Sequence, residues 1–198
     1  MMKVGVLMEI NRNEERGYTF QDYLSSPEGS RYEIYDGEPV LLAAPTTKHQ
    51  GIVSFLTTEF GIYLKGKECR VFVSPFCVRF SELKDYERAD NVYEPDLSII
   101  FNKSQIDQHG CKGAPNLIVE VLSPSTARND RLKKYNTYQK HGVSEYWIVD
   151  PINETIEIHA LENSVYRLWN VYSREDVITS KQFEDLQISG EETFSYGE

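Results

Sequence analysis

The stretch "APNLIVEVLSPSTARNDRLKKYNTYQKHGVSEYWIVDP" (114–151) decides the fold. Its first part, Leu117 to Leu122, holds five aliphatic residues and one glutamate, the length and apolarity of a buried strand. Residues 126–142 read as a helix that closes on Gly142, a residue suited to the left-handed turn after a helix. Residues 144–151 turn apolar again. A helix between two apolar strands predicts a parallel crossover, and with it an α/β domain on a mixed sheet.

Working outward, residues 18–26 predict a short helix with Thr19 as N-cap and Asp22 three residues on. Residues 31–44 alternate in polarity around Asp36-Gly37, a hairpin signal. From Thr46 to Leu64 the apolar residues recur with a helical period. Residues 69–80 read as one strand, with Pro75 marking an edge or a bulge. Residues 82–93 read as a charged loop, and 95–101 as a strand. Residues 102–115 form a polar connection with room for a short helix. Residues 154–161 and 165–172 predict a second hairpin, followed by an edge strand or short helix. Residues 1–16 read as a loose arm on a single domain spanning 1–198.

The 198 residues carry a net charge of −10, with 40% apolar and 26% charged residues. A nucleic-acid site on such a chain must be a local basic patch or work through bound metal. The three cysteines and four histidines match no zinc spacing, which points to a reducing, cytoplasmic setting without structural metal. No apolar run approaches the ~20 residues that span a bilayer, so no membrane role is expected. No P-loop, G-x-G-x-x-G or G-x-S-x-G is present, so neither a nucleotide cofactor nor a serine nucleophile is expected.

Two acids sit where acids are costly. Asp96 opens a strand after Pro95, and Glu120 lies mid-strand. If these strands are neighbours, both carboxylates meet at one sheet end. Two carboxylates ~4 Å apart repel by ~4 kcal/mol at an effective dielectric of 20, and a divalent cation between them reverses the sign. Mg²⁺ or Mn²⁺ suits such an oxygen site. A solvent-facing edge, or a salt bridge to Arg or Lys, also accounts for a lone strand acid. In the following helix Asp130, Lys134, Tyr138 and His141 share one face. Arg128 to Lys140 holds five basic residues and one acid, the clearest basic patch in the chain. Lys134 on that face could stabilise charge on a phosphate. A solvated ion pair from Asp130 to Lys134 is the plain alternative.

"PDL", "APNLIVEVLSPST", the Asp, Lys and Tyr at four-residue steps, "GVSEYWIVDP" and "YTFQDYLSSPEGSRYEIYDGEPV" together resemble the Uma-two family of restriction-endonuclease-like proteins, within the PD-(D/E)XK nuclease superfamily. The likeness runs over roughly residues 18–190. It implies a restriction-endonuclease-like core, α/β, with a central mixed sheet flanked by helices and an N-terminal β-hairpin extension. It implies metal-dependent hydrolysis of DNA, with Mg²⁺ or Mn²⁺ on Asp96, Glu120 and the Val121 carbonyl, and a homodimer on two-fold DNA. The superfamily usually places lysine two residues after the second acid; here that residue is Leu122. The resemblance implies that the lysine has moved to the following helix, to Lys134, or to Lys133 if the helical phase is shifted by one. Glu33, Asp36 and Glu59 are the N-terminal acids available to complete a metal shell. His49 is an accessory candidate as general base or phosphate contact, set against a capping role. Tyr138 is another, set against plain core packing.

Overall fold

The computed structural model describes residues 17–27 and 29–196; the expected arm at 1–16 lies outside the described residues. In chain order the elements are α1 (Phe20–Leu24), β1 (Tyr32–Tyr35), β2 (Glu38–Leu41), α2 (Thr47–Tyr63), β3 (Arg70–Val73), β4 (Val78–Phe80), β5 (Asn91–Tyr93) and β6 (Leu97–Ile100). There follow β7 (Ile106–Asp107), β8 (Gly110–Lys112), β9 (Leu117–Val121), α3 (Tyr135–His141), β10 (Glu145–Asp150), β11 (Thr155–Glu162), β12 (Val165–Ser173), β13 (Val177–Thr179), β14 (Gln187–Ser189) and α4 (Gly190–Ser195). Just before α3, Asn129–Lys134 winds as a π-helix.

A six-stranded central sheet runs in the order β12-β11-β10-β9-β6-β3. Its β9 and β10 are parallel, with Glu145 opposite Leu117, and the helical crossover between them is the predicted one. Its other pairs are antiparallel, so the sheet is mixed. β9 is central and covered on both faces, which is why it reads as a nearly unbroken aliphatic run. Leu117, Val119 and Val121 enter the core that holds the α2 residues Ile52, Leu56 and Phe60. Ile118 and Leu122 enter a second core, with Tyr35, Tyr93 and Tyr138.

That second core exists because of a second six-stranded sheet, β2-β1-β5-β4-β8-β7. The predicted hairpin at 31–44 is its start, so it is built into a layer of its own rather than hung from the central sheet. Asp36 and Gly37 turn it with φ of 49° and 80°, the positive values that a two-residue hairpin loop requires. The single strand expected at 69–80 is two strands in different sheets: β3 pairs with β6, and β4 with β5 and β8. Pro75 lies between them; it has no N–H for either ladder. The expected loop at 82–93 contains β5, and the connection at 102–115 contains the small β7–β8 hairpin. These three strands are two or three residues long, too short for a period to show. The chain after Arg174 forms a separate β13–β14 hairpin and α4.

Candidate active site

The site forms where the second face of β9 meets the second sheet. Glu120 lies on that face, between Ile118 and Leu122, and is 3% exposed. β6 runs antiparallel to β9 with Leu97 opposite Val119. Extending that register by one residue brings Asp96 beside Glu120. The Val121 amide donates to Asp96 Oδ2 at 2.8 Å, and His49 Nε2 lies 3.2 Å from the same oxygen. Thr46 caps α2 by accepting from the His49 amide at 3.2 Å, which fixes the helix start that carries His49.

Lys134 is 3% exposed. Its Nζ lies 2.9 Å from Glu120 Oε1, 3.0 Å from Glu33 Oε1 and 3.4 Å from Asp130 Oδ1. Tyr138 donates its hydroxyl to Glu120 Oε1 at 2.7 Å. The helical face of Asp130, Lys134 and Tyr138 is therefore buried against Glu120 rather than solvated. His141 leaves this group and packs against the Phe80 ring. Lys133 is exposed, with its ammonium 5.2 Å from the centre of the Tyr35 ring. The phase of the helix thus delivers Lys134 and not Lys133. The wider basic patch is largely paired off: Arg131 with Glu157 and Asp150, and Lys140 with Glu82.

Glu33 comes from β1, in the other sheet. Its Oε1 also accepts the Glu94 amide at 2.8 Å, and its Oε2 accepts the Tyr35 hydroxyl at 2.5 Å. With both oxygens occupied by protein donors, Glu33 braces Lys134 and the Glu94–Asp96 segment. Asp36 stays in its turn, accepting from Asn91 Nδ2 at 3.1 Å. Neither Asp36 nor Glu59 lines the site.

Glu33, Glu94, Asp96, Glu120, Asp130 and Lys134 all border one cavity of about 530 Å³, together with His49 and the Val121 backbone. Sequence reasoning passed over Glu94 and gave Asp130 no role beyond an ion pair. Glu94 is buried, accepts from the Tyr23 hydroxyl at 2.5 Å, and has no protein partner for Oε2 among the described residues. The available signal was its place two residues before Asp96, on the same side of an extended segment.

Carboxylates dominate this electrostatics. Burial drives the Glu120 and Asp130 carboxyls above their usual range, with Lys134 opposing the shift in both. Burial alone would lower Lys134, but Glu120, Glu33 and Asp130 hold it well above the ordinary lysine value. Burial likewise raises Tyr138. Glu145, another fully buried strand acid, differs in kind. It is satisfied by neutral donors, the Trp147 indole at 2.6 Å and the Gln182 amide at 2.9 Å, and is structural.

The donor set fits a hard divalent cation in chemistry and charge. Five carboxylates border the cavity against one buried ammonium. Among the described residues Glu120 Oε2 and Asp96 Oδ1 accept no hydrogen bond. No three His, Cys, Asp or Glu side chains among the described residues stand grouped as ligands. A cation that takes one or two protein carboxylates plus water does not need three.

The family model described as "Putative restriction endonuclease", Uma2, matches residues 19–191. This chain belongs to the Uma2 family. Two relatives in Synechocystis are "Uncharacterized protein slr1290", 26% identical over 142 residues, and "Uncharacterized protein sll1609", 24% identical over 144. Each alignment covers 70% of this chain, with 72% and 78% of the respective relative. A crystal structure from Anabaena variabilis, titled as "a putative nuclease belonging to DUF820", superposes with a TM-score of 0.72 at 21% identity. It covers 90% of this chain and 98% of its own, and establishes the shared fold. No helix among the described residues is long and apolar enough to cross a membrane.

Proposed function

We propose that this Uma2 protein is a Mg²⁺- or Mn²⁺-dependent endonuclease that hydrolyses DNA phosphodiester bonds. The observation that carries the reading is convergence. Asp96, Glu120 and Lys134 come from a loop, a strand and a helix, and meet at one cavity lined by excess negative charge. Asp96, Glu120 and the Val121 carbonyl would hold the metal. When bound, such a cation lowers the pKa of water and polarises a phosphoryl oxygen.

The chain's own residues do the rest. Lys134 and Tyr138 both engage Glu120 Oε1, which orients the carboxylate and leaves Oε2 toward other ligands. The Val121 amide fixes Asp96 through Oδ2 in the same way. Lys134, kept charged by three carboxylates, supplies positive charge for a phosphoryl oxygen or orients the attacking water. Glu33 restrains Lys134 from the second sheet, so the N-terminal hairpin completes the site. The net charge of −10 disfavours backbone-driven DNA binding and makes affinity depend on the cation.

A non-catalytic nuclease-fold module is the second reading, favoured by Leu122 in the usual lysine position and by the hold of Lys134 on Glu120. Nicking of supercoiled plasmid separates the two. Wild type should nick with Mg²⁺ or Mn²⁺, and Glu120→Gln and Lys134→Ala should lose at least a hundredfold. Equal nicking by all three, with folding checked by circular dichroism, would overturn the proposed site.

A further inference from the structure

We propose that this site takes DNA as a single strand, unpaired before it enters the cavity, and that Arg31 holds a phosphate one nucleotide step away from the one being cut. The inference rests on the nuclease reading above and names the form of the substrate and a residue that positions it.

The proposed catalytic groups are recessed. Glu120 and Lys134 are each 3% exposed, so a phosphate must enter the cavity to reach them. Three connections line the way in: residues 42–45 ahead of α2, 73–75 leaving β3, and 123–126 after β9. A space of about 530 Å³ measures about 8 Å across, less than the ~12 Å width of the major groove alone. One extended strand fits such a space. A duplex would bring its second strand against the lining connections, so the cut strand must first leave its partner, as it does wherever an enzyme works at an atom that pairing hides.

Charge supports the same form of substrate. A protein that grips a duplex by its backbone makes on the order of 6–10 phosphate contacts. Among the described residues, Arg31 and Lys134 are the only lysine or arginine on the cavity border. Lys134 is committed to Glu120, Glu33 and Asp130. Arg31 is exposed and makes no ion pair or side-chain hydrogen bond among the described residues. One free cation suits one strand and leaves nothing for a second.

The hairpin fixes where that cation starts. The Arg31 carbonyl accepts the Leu42 amide at 3.0 Å, which extends the β1–β2 ladder by one pair. Arg31 and Glu33 are two residues apart on extended chain, so they share a side, about 7 Å apart along it. Glu33 is bonded to Lys134, so Arg31 flanks the Lys134 site. Its guanidinium fork matches two oxygens of one phosphate. Single-strand sites combine such a cation with aromatic faces on which bases stack. Phe72 and Phe76 flank the 73–75 wall, half-buried, with their rings stacked 4.1 Å apart at 11°. They offer an entering base that surface.

The experiment uses the full chain with Mg²⁺ or Mn²⁺ and one end-labelled oligonucleotide in three forms: single-stranded, fully paired in a linear duplex, and paired except for a central unpaired segment. The single strand, and the unpaired segment of the third form, should be cut with kcat/KM at least fiftyfold above the linear duplex. Arg31→Ala should raise KM for the single strand at least fivefold with kcat within twofold, and Arg31→Lys should recover most of that loss. Because Arg31 is exposed, both variants should keep the wild-type circular dichroism spectrum and Tm. A linear duplex cut as fast as the single strand would overturn the inference and leave the nuclease reading intact. An unchanged KM in Arg31→Ala would overturn the role of Arg31. No cleavage of any form, with no nicking of supercoiled plasmid, would overturn the nuclease reading and the inference with it.

Discussion

Replacing Lys134 with methionine removes the one buried ammonium from a group of three carboxylates within 3.4 Å. Methionine keeps a similar length and volume, so the change is chiefly electrostatic. Removing one partner of a buried ion pair costs about 3–5 kcal/mol. The local chemistry sets a ceiling as well, because a carboxylate can take up a proton instead of staying charged. For a glutamate of ordinary pKa that costs ~3.7 kcal/mol at pH 7 and ~1 kcal/mol at pH 5. Urea denaturation of metal-free Lys134→Met should therefore show a loss of ~4 kcal/mol at pH 7 that shrinks toward ~1 kcal/mol at pH 5. Adding Glu33→Gln should return at least ~2 kcal/mol at pH 7, since the double variant leaves one fewer stranded charge. A loss below ~1 kcal/mol that stays flat between pH 5 and 7 would refute the claim that Lys134 is the counter-ion of this cluster.

The raised Glu120 and Asp130 carboxyls carry a pH signature of their own. A carboxyl raised by folding adds stability that is full below its unfolded value near ~4 and is lost as pH rises through the folded value. The metal-free wild type should thus lose more Tm than Glu120→Gln between pH 5 and 8, and Mn²⁺ should offset the loss; parallel Tm curves would contradict this. Gly110 has φ +125°, and a Cβ there would lie 2.0 Å from the Cys77 carbonyl oxygen. Gly110→Ala should cost ~3 kcal/mol or more, seen as a fall in Tm; an unchanged Tm would mean the β7–β8 turn can move freely.

Much of the architecture was readable because its signals are local. The β9–α3–β10 crossover was legible from run length and Gly142, and the β1–β2 hairpin from Asp36-Gly37. The start of α1 was legible too: Asp22 accepts from the Thr19 amide at 2.8 Å. The second sheet was not legible. β5, β7 and β8 are two or three residues each and draw their stability from neighbours rather than from a period of their own. The division of 69–80 between two sheets was hidden for the same reason: Pro75 announces an interruption but not where the chain goes next.

For the site, the sequence by itself determined which residues were costly enough to need a purpose. An acid inside an aliphatic strand and an acid opening another were conspicuous without coordinates, because burying charge is expensive in any fold. What only the tertiary structure decided was their company. Pairing of β6 with β9 sets Asp96 beside Glu120, and the helix phase chooses Lys134 over Lys133. The second sheet turns Glu33 from a candidate ligand into the brace of Lys134. Those assignments depend on distances between residues from 14 to about a hundred positions apart, and strand pairing and packing fix such distances, not the local pattern.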